Sequence, residues 1–308
     1  MHHHHHHPTH HTCAADSKLM RLATYASVAV ALTLVVAKLF AWWVSDSLSM
    51  FSSLTDSLFD VATSAMNLIA LRYALKPADD DHRFGHTAIE DIVGLAQFAF
   101  ITASMGLIIL QSAERLFNPV AITHEEIGIG VSALGMLLTA ALVMFQGYVA
   151  RKTGSLIIAA DRMHYLGDVL FNLGVMAALA LALYGGIYWA DPVIAIIIAV
   201  AILVSTVEIG RRAFDNLMGR EMPEAEKEKI LTAIKNVAGV HGVHQLRTRY
   251  MGTKPVIQMH VDMESHLSFL EAHAITDNVE HALRTLWPQA EVIVHGDPQS
   301  HSHAICIA

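Results

Sequence analysis

Residues 156–184 read LIIAADRMHYLGDVLFNLGVMAALALALY, and the reading of this stretch decides the class of the whole chain. About 17–25 helical apolar residues cross a bilayer core, and this run is longer than that. Its first half nevertheless carries His164 and Asp168, and an ionisable group at mid-bilayer costs about 2.5–3.5 kcal/mol on insertion scales. The two stand four residues apart, so they project from one helical face about one turn apart. Leu48–Tyr73 repeats the pattern with Asp56 and Asp60. Four further stretches of spanning length, Leu22–Val44, Ile92–Gln111, Ile127–Val149 and Asp191–Glu208, bring the count of expected transmembrane helices to six.

The composition agrees with that reading. Of the 308 residues 54% are hydrophobic and only 16% charged, against about a quarter charged in an ordinary soluble domain. A soluble globular enzyme is excluded, and so is intrinsic disorder, since this much apolar side chain does not stay in water. A net charge of −8 offers no basic surface, so nucleic acid is not an expected partner. Cys13 and Cys306 stand near opposite ends, so neither a disulfide framework nor a thiolate cluster is available. His2 to His7 read as an expression tag, with His10 and His11 in the adjoining leader (1–15), which leaves thirteen of the 21 histidines to interpret. No small-residue cleavage site follows the first apolar stretch, so no cleavable signal peptide is expected.

Basic residues alternate along the connections. Lys18 and Arg21 precede the first span; Arg72, Lys76 and Arg83 lie between the second and third; Arg151, Lys152 and Arg162 lie between or beside the fourth and fifth; Arg211 and Arg212 follow the sixth. The other three connections offer only Arg115. The positive-inside rule then places both termini in the cytoplasm. The six-helix transmembrane domain is expected over 16–213, and a cytoplasmic soluble domain over 214–298, with a flexible tail over 299–308. Glu221–Val237 reads as a helix, His244–Met251 and Pro255–Met263 as strands joined at Gly252, Phe269–Leu286 as an amphipathic helix and Glu291–His295 as a short strand. That order suggests a small α+β sandwich of about 80 residues.

Two helices that each present an i,i+4 pair, facing one another, bring three carboxylates and an imidazole to one point. Such a four-ligand oxygen and nitrogen set suits tetrahedral Zn2+ and accepts several other divalent ions. A lone intramembrane Asp also serves as interhelical glue or sits at a wetted helix end; two matched pairs on different spans argue for a shared site. Asn67 and Asn172 read as interhelical glue, and Lys38 as a snorkelling side chain. Metal binding needs His164 neutral and the carboxylates ionised, so metal and protons compete for one site. Asp60 and Asp168 titrate as members of a coupled cluster, and no single proton belongs to either.

The motifs Asp56-Ser-Leu-Phe-Asp60 and Ala160-Asp161-x-x-His164-Tyr165-x-x-Asp168 resemble the cation diffusion facilitator family, and most closely its bacterial YiiP-type zinc and iron efflux branch. The resemblance continues through Pro77-Ala-Asp79-Asp-Asp-His82-Arg-Phe-Gly-His86, His244-x-Leu-Arg-Thr-Arg249, Ile257-Gln-Met-His260 and Val294-His295-Gly-Asp297-Pro298. It implies a homodimer in the lipid bilayer of a bacterial cell inner membrane, multi-pass, with a ferredoxin-like cytoplasmic domain. It further implies an antiporter that exchanges a cytoplasmic divalent cation for protons by alternating access, with Asp56, Asp60, His164 and Asp168 as the transport site. The imidazole favours a borderline-soft ion over Mn2+ or Mg2+, so Zn2+ is the first expected cargo, with Fe2+ and Cd2+ as further candidates.

The same resemblance maps a surface metal site onto Asp79, His82 and His86, and a two-metal cluster onto His244, His260, His273, His295 and Asp297. His241, His266 and His281 match nothing in it and read as surface residues. The chain also departs from the family pattern. Gly-His-Gly-Lys-Ala-Glu becomes Gly85-His86-Thr87-Ala88-Ile89-Glu90, and the Asp that would pair with the missing Lys is Gly219. Loss of both partners avoids a stranded charge and predicts a looser or more apolar contact at the dimer hinge. Gly296 likewise stands where the branch often has Gln. Two rival readings remain at this level: an intramembrane metalloenzyme, disfavoured because no His-Glu-x-x-His run exists, and a membrane metal sensor or scaffold without transport, which has no need of ligands inside the bilayer.

Overall fold

The computed structural model describes residues 10–45, 48–117, 128–185, 187 and 189–299. The His2–His7 tag and the end of the expected tail, with His301 and His303, lie outside the described residues. The chain divides into two compact units, one spanning Ala15–Phe214 and the other beginning at Asp215.

Six long helices come first: α1 (His10–Ser45), α2 (Leu48–Ala74), α3 (Ile89–Phe117), α4 (Gly128–Thr153), α5 (Leu156–Gly185) and α6 (Ala190–Leu217). Helices α1, α3 and α6 each hold a strongly apolar window long enough to cross a membrane. In contrast, α2 and α5 carry Asp56, Asp60, Asp161, His164 and Asp168 within their apolar runs. One buried cluster joins Met20, Ala23, Leu71, Val93, Val149 and Ile157, from five of the helices. A second joins Ile101, Met105, Met163, Ala199 and Ile202, from α3, α5 and α6. Small residues let backbones approach, as membrane helix packing requires where the lipid is as apolar as the protein. A Cβ on Gly94 of α3 would lie 3.1 Å from the Leu156 Cβ of α5.

The second unit begins in the last turn of α6, whose end is closed by Gly219 at φ +71. The Gly219 amide donates to the Asn216 carbonyl and the Arg220 amide to the Asp215 carbonyl, a left-handed cap that a glycine adopts without strain. Helix α7 (Glu224–Lys235) starts three residues later than its acidic sequence suggests. Pro223 disfavours helix at the residue before it, and its own carbonyl accepts the first helical bonds, from Glu226 and Lys227. Strands β1 (Gly242–Met251) and β2 (Lys254–Met263) form an antiparallel hairpin in which Gly252 takes the positive φ of the tight turn. Helix α8 (Phe269–Leu286) is started by a capping box between Ser268 and Glu271 and leads to β3 (Glu291–Pro298), parallel to β2. The sheet order is β1-β2-β3. The order αββαβ is the ferredoxin-like motif without an opening strand among the described residues.

Alternation along β2 separates two faces. Ile257, Met259, Val261 and Met263 join Ile230, Ile234, Val279 and Leu283 in a buried core beneath α7 and α8. Gln258, His260 and Asp262 take the opposite face. On β1 an irregularity between His244 and Arg247 inserts one extra residue, with Gln245 at φ +49. Without that bulge the alternation counted from Thr248, which pairs with Ile257, would turn His244 toward the core. With it, His244 pairs with His260 on the polar face.

Candidate metal centres

In the helical unit, α2 and α5 bring Asp60, His164 and Asp168 together. His164 Nε2 lies 3.1 Å from Asp60 Oδ1 and 3.9 Å from Asp168 Oδ2, and one ligand atom from each of the three falls within 4.8 Å of the others. Asp56 does not join them: it is exposed, one turn earlier on α2. The reach of one helical turn, 5.4 Å along the axis, separates it from Asp60. Lys38 does not snorkel. Its Nζ donates to the Ser53 carbonyl at 3.1 Å and to the buried Ser57 hydroxyl at 2.7 Å, which fastens it to α2 about one turn before Asp60. Asn172 bonds the Asp168 carbonyl of its own helix, not a neighbouring one.

Asn67 does bridge helices, and it leads to a residue that the sequence reading quoted without a role. Asp161, three residues before His164, is 1% exposed. Its carboxylate accepts from Ser27 Oγ at 2.8 Å, Asn67 Nδ2 at 2.8 Å and Gln146 Nε2 at 2.6 Å. The signal was present: Asp161, His164 and Asp168 at i, i+3 and i+7 share one helical face.

Between α2 and α3, Asp79, His82 and His86 form a second cluster. His86 Nδ1 lies 3.3 Å from the Lys76 carbonyl. A carbonyl only accepts, so the ring proton sits on Nδ1 and the Nε2 lone pair is left free. That Nε2 is buried without a hydrogen-bond partner, 3.3 Å from Asp79 Oδ2, a donor pair that fits a divalent cation. Asp79 also accepts from Lys76 Nζ at 2.5 Å and from the His82 amide at 2.8 Å. These two bonds hold its carboxyl well below the usual carboxylate range.

The polar face of the sheet carries the third cluster. Asp297 Oδ2 is 2.7 Å from His260 Nδ1 and 3.4 Å from His244 Nε2, and Asp297 Oδ1 is 3.2 Å from His295 Nε2. Burial alone would raise the Asp297 carboxyl, but the His260 bond and the charges of His260, His295 and His244 outweigh it and hold the group low. Three imidazoles converging on one carboxylate fit Zn2+ by donor type. Asp262, unremarked in the sequence, stands 3.3 Å from His244 Nε2 and pairs in register with Asp297. His273 lies elsewhere, on α8, 3.6 Å from Asp277 and stacked on Phe269. A parallel strand running to Pro298, past the expected end at His295, is what lines up Asp297 with Asp262.

The family model described as the cation efflux transmembrane domain matches residues 24–218. The chain belongs to the cation efflux family. A second family model, the cation efflux protein cytoplasmic domain, matches residues 222–299. The cation-efflux pump FieF of Salmonella arizonae is 40% identical over 283 residues, which are 92% of this chain and 94% of that one. The FieF of Salmonella typhimurium matches with the same identity and coverage. A solved structure of the MamM CTD is 27% identical to 25% of this chain over 98% of its own length, with a TM-score of 0.24. Membership of the cation efflux family makes this chain a multi-pass membrane transporter of divalent metal cations and not an enzyme.

Proposed function

We propose that the chain is a homodimeric antiporter that exports Zn2+ from the cytoplasm in exchange for protons, with Fe2+ and Cd2+ as further cargo. The observation that carries the reading is the Asp60, His164 and Asp168 cluster contributed by two facing helices of the transmembrane unit. One imidazole among carboxylates favours a borderline-soft cation over the oxygen-only preference of Mn2+ and Mg2+. Asp56, one turn along α2, is the fourth ligand, drawn in when the dication binds. Because ligation needs a neutral imidazole and ionised carboxylates, a proton-rich exterior displaces the metal and a proton-poor cytoplasm loads it.

In this reading six helices within 16–213 span a bacterial inner membrane, and the domain within 214–298 is cytoplasmic. The alternation of basic residues, with Arg72 and Arg151 at helix ends of one sense, supports that orientation. Asp79, His82 and His86 hold a surface cation, and His244, His260, His295 and Asp297 hold resident zinc, with His273 a further candidate ligand. Bound there, zinc would supply positive charge to His244 of β1, His260 of β2 and His295 and Asp297 of β3, which hold it from one face of the sheet. Homodimerisation is supported by the match to the ZT_dimer family model.

The test is Zn2+ flux into proteoliposomes under an imposed pH gradient, comparing the parent with Asp60→Ala. Gradient-dependent uptake lost in the variant supports the antiporter. Zn2+ bound by the parent with no vectorial movement would instead make the protein a membrane metal sensor or scaffold.

A further inference from the structure

Asp161 belongs to a layer of polar side chains that the transport site does not use. Beside its three donors, Tyr165 Oη lies 2.8 Å from Ser64 Oγ, Ser27 Oγ lies 2.9 Å from Ser64 Oγ, and Gln97 donates to Asn67. The seven residues come from α1, α2, α3, α4 and α5, and none is more than 5% exposed. Their depth is consistent. On α2, Ser64 and Asn67 lie one and two turns beyond Asp60 toward Arg72; on α5, Asp161 precedes His164 toward Leu156; on α4, Gln146 lies a little more than a turn before Arg151. The layer therefore lies between the metal site and the helix ends that carry Arg72 and Arg151.

A carboxylate that accepts three bonds from three helices is a strong tie, because charge-assisted bonds are about twice as strong as neutral ones and strengthen in low dielectric. The layer also has spare capacity. Gln97 Oε1 and Gln146 Oε1 are buried acceptors without a partner, so the network has unused bonds into which it can re-pair when helices shift.

We propose that Asp161 is the keystone of an inner gate, a positioning residue whose bonds to Ser27, Asn67 and Gln146 shut the metal site off from the cytoplasmic ends of the helices and part when the site opens to that side. This rests on the transport reading above. In the shut state the layer seals the bundle and keeps α5, with His164 and Asp168, against α1, α2 and α4. A transporter whose gate does not hold exposes its site to both sides and loses the alternation that couples cation movement to the gradient.

The experiment uses the full chain in proteoliposomes with Zn2+ as probe, and hydroxyl-radical labelling of Tyr165 as a measure of water entry. Asp161→Asn turns one acceptor oxygen into an amide donor that faces other donors. Tyr165 labelling is expected to rise roughly threefold or more as the shut state loses population, with labelling of Tyr250 and Met259 in the other unit at the parent level. Gradient-driven Zn2+ uptake is expected to fall roughly tenfold. Ser27→Ala deletes one donor and one atom; it moves both readouts in the same direction by less, and it serves where Asp161→Asn does not fold. Parent-like Tyr165 labelling and uptake in the folded variants overturn the gate. So does a uniform rise in labelling along the chain, which marks a purely structural role. A parent that moves no Zn2+ overturns the transport reading itself, and the gate with it.

Discussion

Replacing Lys38 by Met should tighten zinc binding at the proposed transport site and slow turnover. The ammonium group is held on the Ser57 hydroxyl at 2.7 Å, and Ser57 precedes Asp60 by three residues, which on a helix means side chains about 5–6 Å apart. A dication ligated by Asp60 then sits on the order of 7 Å from the lysine charge. At an effective dielectric of about 20 the repulsion between them is about 5 kcal/mol, an upper figure because the half-exposed site is further screened by water. Less than a third of it, about 1.4 kcal/mol, is already tenfold in affinity. Zn2+ affinity would be measured by chelator competition in detergent at about pH 8, where protons compete least with metal for imidazole and carboxylate. His86→Ala and His260→Ala in the background silence the other two clusters. Lys38→Met should bind at least tenfold tighter and export more slowly, since the same charge that weakens binding assists release. Lys38→Arg should resemble the parent. Unchanged or weaker binding in Lys38→Met would refute the idea that this lysine opposes the cargo.

Three other outcomes can be checked. Asp262→Asn should weaken the tightest zinc of the sheet cluster by roughly tenfold, the usual scale for a group that supports a ligating histidine; equal affinity to the parent by chelator competition would remove Asp262 from the site. Gly210→Ala should lower the unfolding temperature of the helical unit, because the new Cβ would meet three ring atoms of Phe98 at separations below 3.0 Å. Overpacking of this kind costs about 1–3 kcal/mol, and adding Phe98→Leu should recover most of it; a single variant as stable as the parent would show that α3 and α6 yield freely. Acidification from about pH 8 to about pH 5 should strip zinc from the sheet cluster without unfolding it, because imidazoles must be neutral to ligate. Asp297, held low, contributes stability that is present above its unfolded value of about 3.9 and lost only as pH falls through the lower folded value. Zinc content and near-ultraviolet dichroism would follow the two events, and loss of both in one step would contradict the prediction.

What could be read without coordinates was whatever is written locally. The helices of the first unit follow from apolar length, and α8 was bounded to the residue by its amphipathic run, while the capping box of Ser268 and Glu271 that starts it was read only from the structure. Asp60, His164 and Asp168 were found because an ionisable group in an apolar run is costly wherever its partner lies. The sequence could not show the partners themselves. Lys38 looked like an end-of-span cation because its acceptor, Ser57, belongs to another helix. His244 reaches the polar face only through a one-residue bulge, and Asp262 meets Asp297 only because β3 runs parallel to β2 in one register. His273 was grouped by motif with residues of the sheet, and which neighbours it meets on α8, Asp277 and Phe269, only the structure shows. Orphans such as His86 Nε2 exist only in three dimensions.

The two faces of β2 have a consequence for a cell whose zinc varies. The greasy side of the strand, with Ile257, Met259 and Val261, is packed by α7 and α8, while the histidines occupy the other side and already share Asp297 as a counter-charge. Assembly of this domain and its metal inventory are thereby separate accounts. On the zinc reading proposed above, a freshly translated chain in a starved cell would fold and wait, ready for the first surplus.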